Sequence, residues 1–341
     1  KSKGIYVYRF NTVSGTLQLQ SIASDKQNPA YLSIHPNQRY LYAVNEIGRF
    51  EGRASGAISA FAIDETTGNL ERLNQRSTIG TGPCHLSVDP KGRYVLVANY
   101  GGGSVALLPI GADGSLEEAT SFIQHQGRGS TQRQRGPHAH SIICDPEGQL
   151  AFAADLGLDK ILVYELDAEQ GKLRPHTTPW AQMKAGAGPR HTTFSTDGRF
   201  FYTINELDST ITAFSYAAEA GILTEIQTIS TLPTGFVGTS YCADIHLHPS
   251  GKFLYGSNRG HDSIVIYRVD EASGQLTLVG HTPTQGRTPR SFVIDPDGDF
   301  LLVANQDSDS IVIFQIDRQT GTLRATGQST SVPKPVCLKF L

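Results

Sequence analysis

Leu86–Asn99 reads LSVDPKGRYVLVAN, and Phe292–Asn305 reads FVIDPDGDFLLVAN. Each is a short apolar strand, an Asp-Pro-x-Gly turn, and a second apolar strand ending in Asn. Proline presets φ in such a turn and glycine supplies its left-handed position, so each stretch is a β-hairpin. The same grammar occurs six times, with turns near Pro36, Pro90, Pro146, Asp197, Pro249 and Pro296. A second signature interleaves with it. A Gly-x-Leu turn recurs at Gly15, Gly68, Gly114, Gly171, Gly221, Gly274 and Gly321, 46 to 57 residues apart, between strands such as Ile58–Ile63 and Ile264–Val269.

Together the two signatures give four strands per repeat: A, turn, B, short loop, C, Gly-x-Leu turn, D. No helical 3.6-residue pattern of useful length interrupts them. Repeats of this size and strand count predict an all-β fold, a seven-bladed β-propeller of four-stranded antiparallel blades. A lone four-stranded sheet cannot bury both faces, whereas a ring of such sheets can. Seven C–D hairpins against six A–B hairpins is an informative mismatch. The tail PVCLKFL (Pro335–Leu341) reads as a seventh strand A and GIYVYRF (Gly4–Phe10) as a strand C. The N- and C-terminal segments are therefore expected to share one blade and close the ring, as a single domain over residues 1–341. Strand B of that blade is absent from this reading, which implies missing N-terminal residues.

Composition narrows the function classes. With 38% hydrophobic and 18% charged residues, the chain has the makings of a packed core. A net charge of −3 gives no basic field for nucleic acid or a membrane surface, so neither partner is expected. No run approaches the 18 apolar residues of a membrane span. Cys84, Cys144, Cys242 and Cys337 are far apart, without CxxC or Cys/His metal spacing, and read as free thiols in apolar strands. Reduced thiols suit a cytoplasmic location. A periplasmic or secreted one stays open, because the chain opens abruptly at Lys1-Ser2-Lys3-Gly4.

Aligning the repeats on their A–B turns picks out equivalent positions at one mouth of the ring. The entrance to strand A holds Ala30, Cys84, His140, Arg190, Ala243, Arg290 and, by extension, Val336. The next position holds Tyr31, His85, Ser141, His191, Asp244, Ser291 and Cys337. After the strand-B Asn or Asp come Glu46, Tyr100, Leu156, Glu206, Arg259 and Gln306. Mirror-image pairing about the turn in Ala187–Glu206 sets Arg190 opposite Asn205, beside Glu206. Fold maintenance alone would repeat one residue in every blade; here they differ. That asymmetry marks a candidate site.

Arginine at a channel mouth suits carboxylate or phosphate through bidentate hydrogen bonds. Arg190 and Arg290 also fit plain inter-blade ion pairs, and Asp244 could simply pair with Arg259 of its own blade. Glu206 and Glu46 fit either site residues or neutralising partners. His138 and His140, in RGPHAHS, stand two residues apart beside the mouth. The recurrent Asn (Asn45, Asn99, Asn205, Asn258, Asn305) reads as turn scaffold. His138-x-His140 and Asp244-x-His246 have ligand-like spacing but lie in different blades with no third local ligand, so no metal or cofactor is expected. The segment His125–Gly136, with Arg128, Arg133 and Arg135, reads equally as a lid over the site or as a flexible insertion.

The strings GPHAHS, GAGPRH with Asn205-Glu206 sixteen residues on, CADIHLHPSGKFLYGSNR and TPRSFVIDP resemble the seven-bladed propeller lactonase family across essentially the whole chain. Its members include bacterial propeller-type 6-phosphogluconolactonase and the fungal carboxy-cis,cis-muconate lactonising enzyme. The resemblance implies catalysis on an anionic lactone, without a known metal requirement. Carried over by motif, it implies His140, Arg190 and Glu206 as catalytic residues and a further arginine, matched by both Arg259 and Arg290. His138, His191, Asp244 and Glu46 complete the expected substrate-binding set. The expected reaction is hydrolysis of a sugar-acid lactone such as 6-phosphoglucono-1,5-lactone. Lactonisation of carboxymuconate by the same groups, or a non-catalytic binding module, are the alternatives.

Lactone hydrolysis needs a base to activate water and donors for the developing oxyanion. Arg190 is expected at the oxyanion, with Arg259 and Arg290 holding phosphate or carboxylate. Either His140 or Glu206 can be the base. A glutamate beside an arginine is a poorer base, which favours His140. A small-molecule substrate is the expected partner of a monomer or weak homo-oligomer.

Overall fold

The computed structural model describes residues 2–25 and 27–341, and its regular structure is almost wholly strand. Six four-stranded sheets span residues 29–77, 83–124, 139–182, 189–230, 241–283 and 289–331, each with its strands in sequence order. A two-stranded sheet, Gly4–Asn11 with Thr16–Ser24, precedes them. The only helical pieces among the described residues are three single 3₁₀ turns, at Gln132–Gln134, Ala218–Ala220 and Gln306–Ser308. No helix there is long and apolar enough to cross a membrane.

The sheets reproduce the expected A-B-C-D repeat. In the 189–230 sheet, strand A is Pro189–Phe194, B is Phe200–Asn205, C is Thr210–Ala217 and D is Ile222–Ser230. Strand B is buried at every residue, while strand D is largely exposed. Unbroken apolar strand B segments such as FLLVAN therefore reflect a sheet covered on both faces. None of the four cysteines forms a disulfide among the described residues, and Cys84 and Cys242 are buried.

Packing divides the chain into two compact units. One contains Tyr8–Gln18 and Arg190–Phe340, the other Lys3–Val7 and Leu19–Pro189. Within each, neighbouring sheets meet along the same seam. The phenol of Tyr42 donates to the Gly114 carbonyl at 3.0 Å, Tyr202 to Gly274 at 3.1 Å, and Tyr255 to Gly321 at 2.8 Å. The first strand-B aromatic covers the same glycine. Gly274 has φ +71°, and a Cβ there would lie 2.4 Å from the Phe200 ring. The Gly-x-Leu and aromatic strand-B signatures are thus two sides of one inter-sheet joint. A histidine reinforces the seam twice, His35 to the Gly92 carbonyl and His248 to the Gly298 carbonyl, both at 2.9 Å.

At the opposite end of the sheets, the recurrent Asn ties a strand-B end to the preceding connection. Asn258 Nδ2 donates to Thr231 O at 2.8 Å, Asn99 to Thr78 O at 3.2 Å and Asn305 to Thr284 O at 3.1 Å. The scaffold reading of this residue agrees with that geometry.

Two expectations need correction. Residues 335–341 carry no assigned strand, so the tail is not seen as a strand A. The mirror-image register also fails by a residue wherever the sister hairpins record it. Pro29, Pro83, Ala139 and Pro289 stand opposite Asn45, Asn99, Asp155 and Asn305, and the register shifts at the next residue. The skipped residues are Ala30, Cys84, His140 and Arg290; in the 241–283 sheet the shift takes in Ala243 and Asp244. The variable entrance position is therefore a β-bulge. An extra residue there is unpaired in the ladder and its side chain is re-aimed, which frees the position to vary.

Candidate active site

Arg190 is the second residue of its strand A, and its side chain is buried to 2% exposure. A buried guanidinium has to be paired. Arg190 Nε donates to Glu206 Oε2 at 3.0 Å, Glu206 being the residue that follows Asn205 at the end of strand B. Its Nη1 donates to the Ala243 carbonyl of the next sheet and to His191 Nε2, the latter at 3.1 Å. Arg259, at the end of strand Phe253–Arg259, reaches the same Glu206 oxygen through Nη2 at 2.9 Å and donates to the Cys242 carbonyl at 2.7 Å. One carboxylate thus joins two guanidinium groups from adjacent sheets.

Arg259 Nε is buried and has no hydrogen-bond partner among the described residues. Burial and the Arg190 charge lower the Arg259 pKa to about 10, against the opposing pull of Glu206, and Arg290 adds to the lowering. Arg259 therefore stays charged at neutral pH. Arg290, half-buried on the strand-A bulge of the following sheet, adds a third positive group to this field.

Behind Arg190 stands a second set. His191 Nδ1 lies 2.8 Å from Asp244 Oδ1, and His246 Nε2 lies 3.3 Å from Asp244 Oδ2. Asp244 also accepts from the Phe292 N–H of the next sheet at 3.4 Å. Burial alone would raise its carboxyl pKa, but His246 and His191 hold it well below the usual carboxylate range. Burial and the Arg190 charge push His191 down to about 4 in spite of Asp244. The imidazole is thus neutral at pH 7. Because guanidinium only donates, Nε2 must accept and Nδ1 must carry the proton given to Asp244. The alternative pairing of Asp244 with Arg259 is not what forms: each takes a different partner.

The other unit holds His138 and His140. His140 occupies a bulge, 5% exposed, with its Nδ1 3.7 Å from Cys84 Sγ, on the bulge of the neighbouring sheet. Cys84 also lies 3.4 Å from the His140 carbonyl. The Tyr100 ring stacks on His138 at 4.6 Å and meets His140 edge-on at 5.3 Å. His138 Nδ1 bonds the Tyr100 carbonyl at 3.0 Å, so that nitrogen is the donor. Its backbone N–H donates to Asp155, whose carboxylate replaces the recurrent Asn and meets buried His125 at 2.6 Å. Glu46 also belongs to this unit, where its backbone N–H and carbonyl both bond Asn28.

The segment 125–136 is anchored: buried Gln134 donates to Leu156 O and Asp159 Oδ1, and Arg133 reaches the Tyr100 hydroxyl at 3.3 Å. No cluster of three or more His, Cys, Asp or Glu suited to a metal occurs among the described residues. Cys84 and Tyr100 were not singled out from sequence, yet both occupy the aligned positions that flagged His140 and Glu206. The Ala243 carbonyl carries no sequence signal beyond a small residue at a bulge.

A family profile described as "Lactonase, 7-bladed beta-propeller" matches residues 1–340. The chain belongs to that family. It is 37% identical over 341 residues to the 6-phosphogluconolactonase of Bacillus subtilis, covering all of this chain and 95% of that one. A 6-phosphogluconolactonase of Pectobacterium carotovorum is 36% identical over 296 residues, covering 86% of this chain and 82% of its own. The solved structure of the periplasmic gluconolactonase PpgL of Pseudomonas aeruginosa superimposes with a TM-score of 0.93 at 39% identity, covering 98% of this chain and 94% of that one. Four-stranded antiparallel sheets are the blades of this family's propeller.

Proposed function

We propose that the protein is a lactonase that hydrolyses a phosphorylated sugar-acid lactone, with 6-phosphoglucono-1,5-lactone as substrate. The observation that carries this is the guanidinium cluster. Arg190, Arg259 and Arg290 contribute three positive charges, and Glu206 is the carboxylate that Arg190 and Arg259 share. This surplus of guanidinium groups over the carboxylate they share favours an anionic ligand such as a phosphate. The named relatives support the lactone chemistry.

In the mechanism we infer, a base takes a proton from water as its oxygen attacks the lactone carbonyl. The carbonyl oxygen becomes an oxyanion held by Arg190, a donor worth about 10²–10³ in rate. The ring C–O bond then breaks, the ring oxygen takes up the proton, and the open acid leaves. Glu206 is already committed to two guanidinium groups, so its role is to hold them. Arg259 and Arg290 hold the substrate phosphate.

The finer architecture is part of this reading. The hairpin Gly4–Asn11 and Thr16–Ser24 is taken as the C–D half of a seventh blade in one domain over residues 1–341. Support comes from Gly15, whose added Cβ would meet Phe300 at 3.3 Å, the same aromatic-on-glycine contact that joins the other sheets. Phe10 packs edge-on against Phe300 and Phe340 at 5.3 and 5.5 Å.

Steady-state turnover of 6-phosphoglucono-1,5-lactone, glucono-1,5-lactone and carboxymuconate tests the proposal. A kcat/KM at least tenfold higher for the phosphorylated lactone, lost in Arg259→Ala, is expected. Equal rates on both lactones would remove the phosphate assignment. Turnover of carboxymuconate alone would replace hydrolysis by lactonisation.

A further inference from the structure

Arg190 has five N–H groups, and the structure accounts for three. Nε–H goes to Glu206, and the two Nη1 hydrogens go to Ala243 O and His191 Nε2. Nη2 makes no hydrogen bond among the described residues, and it is not among the buried polar atoms that lack a partner. The guanidinium is therefore held along one edge and at Nε, with its Nη2 edge presented to whatever enters.

We propose that His191, oriented by Asp244, is a positioning residue that aims Arg190: it accepts a hydrogen bond from Nη1 and leaves Nη2 as the donor for the substrate carbonyl. This replaces a substrate-binding role for His191 and Asp244. Both ring nitrogens of His191 are used within the protein, Nδ1 on Asp244 and Nε2 on Arg190, and its side chain is 7% exposed. Nothing of the ring is left to hold a ligand. Asp244 is equally committed, to His191, His246 and the Phe292 N–H. A guanidinium pivots easily about its own stem, and two acceptors on one nitrogen remove that freedom. A protonated or Nε2–H imidazole would point a hydrogen at Arg190 and break the arrangement.

The assignment deepens the lactonase reading and rests on it for its kinetic test; an NMR readout separates the two. His191→Ala, assayed at a temperature where it is folded, should lose about 10- to 100-fold in kcat, with KM changed less than threefold. That split is the mark of a group acting only in the transition state. His191→Gln places an amide oxygen near the former Nε2 and should recover most of the loss. A KM rise with unchanged kcat, or a Gln variant no better than Ala, would overturn the proposal. In the wild-type protein, ¹⁵N-histidine spectra at pH 7 should show His191 protonated at Nδ1 and bare at Nε2. The opposite tautomer refutes the positioning role even if no lactone is turned over.

Discussion

Among the hydrogen bonds that cross between the 189–230 and 241–283 sheets are two, near opposite ends, that join a side-chain donor to a backbone carbonyl. At one, the Tyr202 phenol meets the Gly274 carbonyl; at the other, the Arg190 guanidinium meets the Ala243 carbonyl. Both are buried donors satisfied by a neighbouring sheet's backbone, so as packing they are equivalent. They differ in recurrence. The tyrosine bond is repeated by Tyr42 and Tyr255, whereas the position of Arg190 is held elsewhere by Ala30, Cys84, His140 and Arg290. A repeated contact builds the repeat. A charged contact made once, at a position that backbone geometry leaves free, is there for something else.

The sharpest way to break the comparison is Arg190→Lys. It keeps the charge but not the fork that serves Glu206, Ala243 and His191 together, and kcat should fall by about 10²–10³. If the loss is under threefold in a folded variant, the two ends of the sheets are alike after all and the oxyanion assignment fails.

The next effect is acid sensitivity at the Arg190 end. The folded protein protonates His191 near pH 4, whereas an unfolded chain does so near its ordinary value of about 6.5. As pH falls through that window the unfolded state binds the proton first, so stability declines, and this contribution stops growing below about pH 4. The size is on the order of 3 kcal/mol. Asp244, whose carboxyl is held below its usual range, adds a further loss at still lower pH, with the same sign. Denaturant midpoints from pH 7 to 4 should show the slope, and His191→Gln should flatten it. An unchanged slope in that variant would place the acid sensitivity on other groups. At the other end of this pair of sheets, burial pushes the Tyr202 phenol further up, away from this range.

Legibility in the sequence follows the same division. The four-strand repeat, the turns and the recurrent Asn were readable because each is dictated locally and then repeated, as with Gly274 and Gly321. The bulge was not. A one-residue register shift beside Pro289 or Ala139 comes from how the sheet twists near its end, and counting back from the turn places Arg290 and His140 one step off. Even so, aligning the repeats found the bulge residues, because alignment needs equivalence and not register. The partners were harder. Arg190 with Glu206 lies within one hairpin and was foreseen, but Glu206 with Arg259 and His191 with Asp244 cross sheets. Choosing among inter-sheet pairings requires the strand stagger, which no spacing in the chain reports.

At the repeated seam the expected effects are on stability alone. Gly274→Ala forces a Cβ to within 2.4 Å of the Phe200 ring at a left-handed φ of +71°, and should cost about 2–3 kcal/mol. Chemical denaturation reads this directly. The kcat of the surviving folded protein should match wild type, since Gly274 sits at the turn end of the sheet; a parallel loss of kcat would mean that the seam sets the geometry of Arg190.

Tyr202→Phe is the mildest test and the cleanest, because it removes one oxygen and leaves the ring in place. The Gly274 carbonyl loses its phenolic donor, at a cost of about 1 kcal/mol, or about 2 °C in melting temperature. The equivalent changes Tyr42→Phe and Tyr255→Phe should cost the same within about 0.5 kcal/mol, because all three hydroxyls do one job in three places. That equality is what repetition means energetically. If Tyr202→Phe alone were far more costly, or alone slowed turnover, this tyrosine would join Arg190 among the residues whose position repeats but whose work does not.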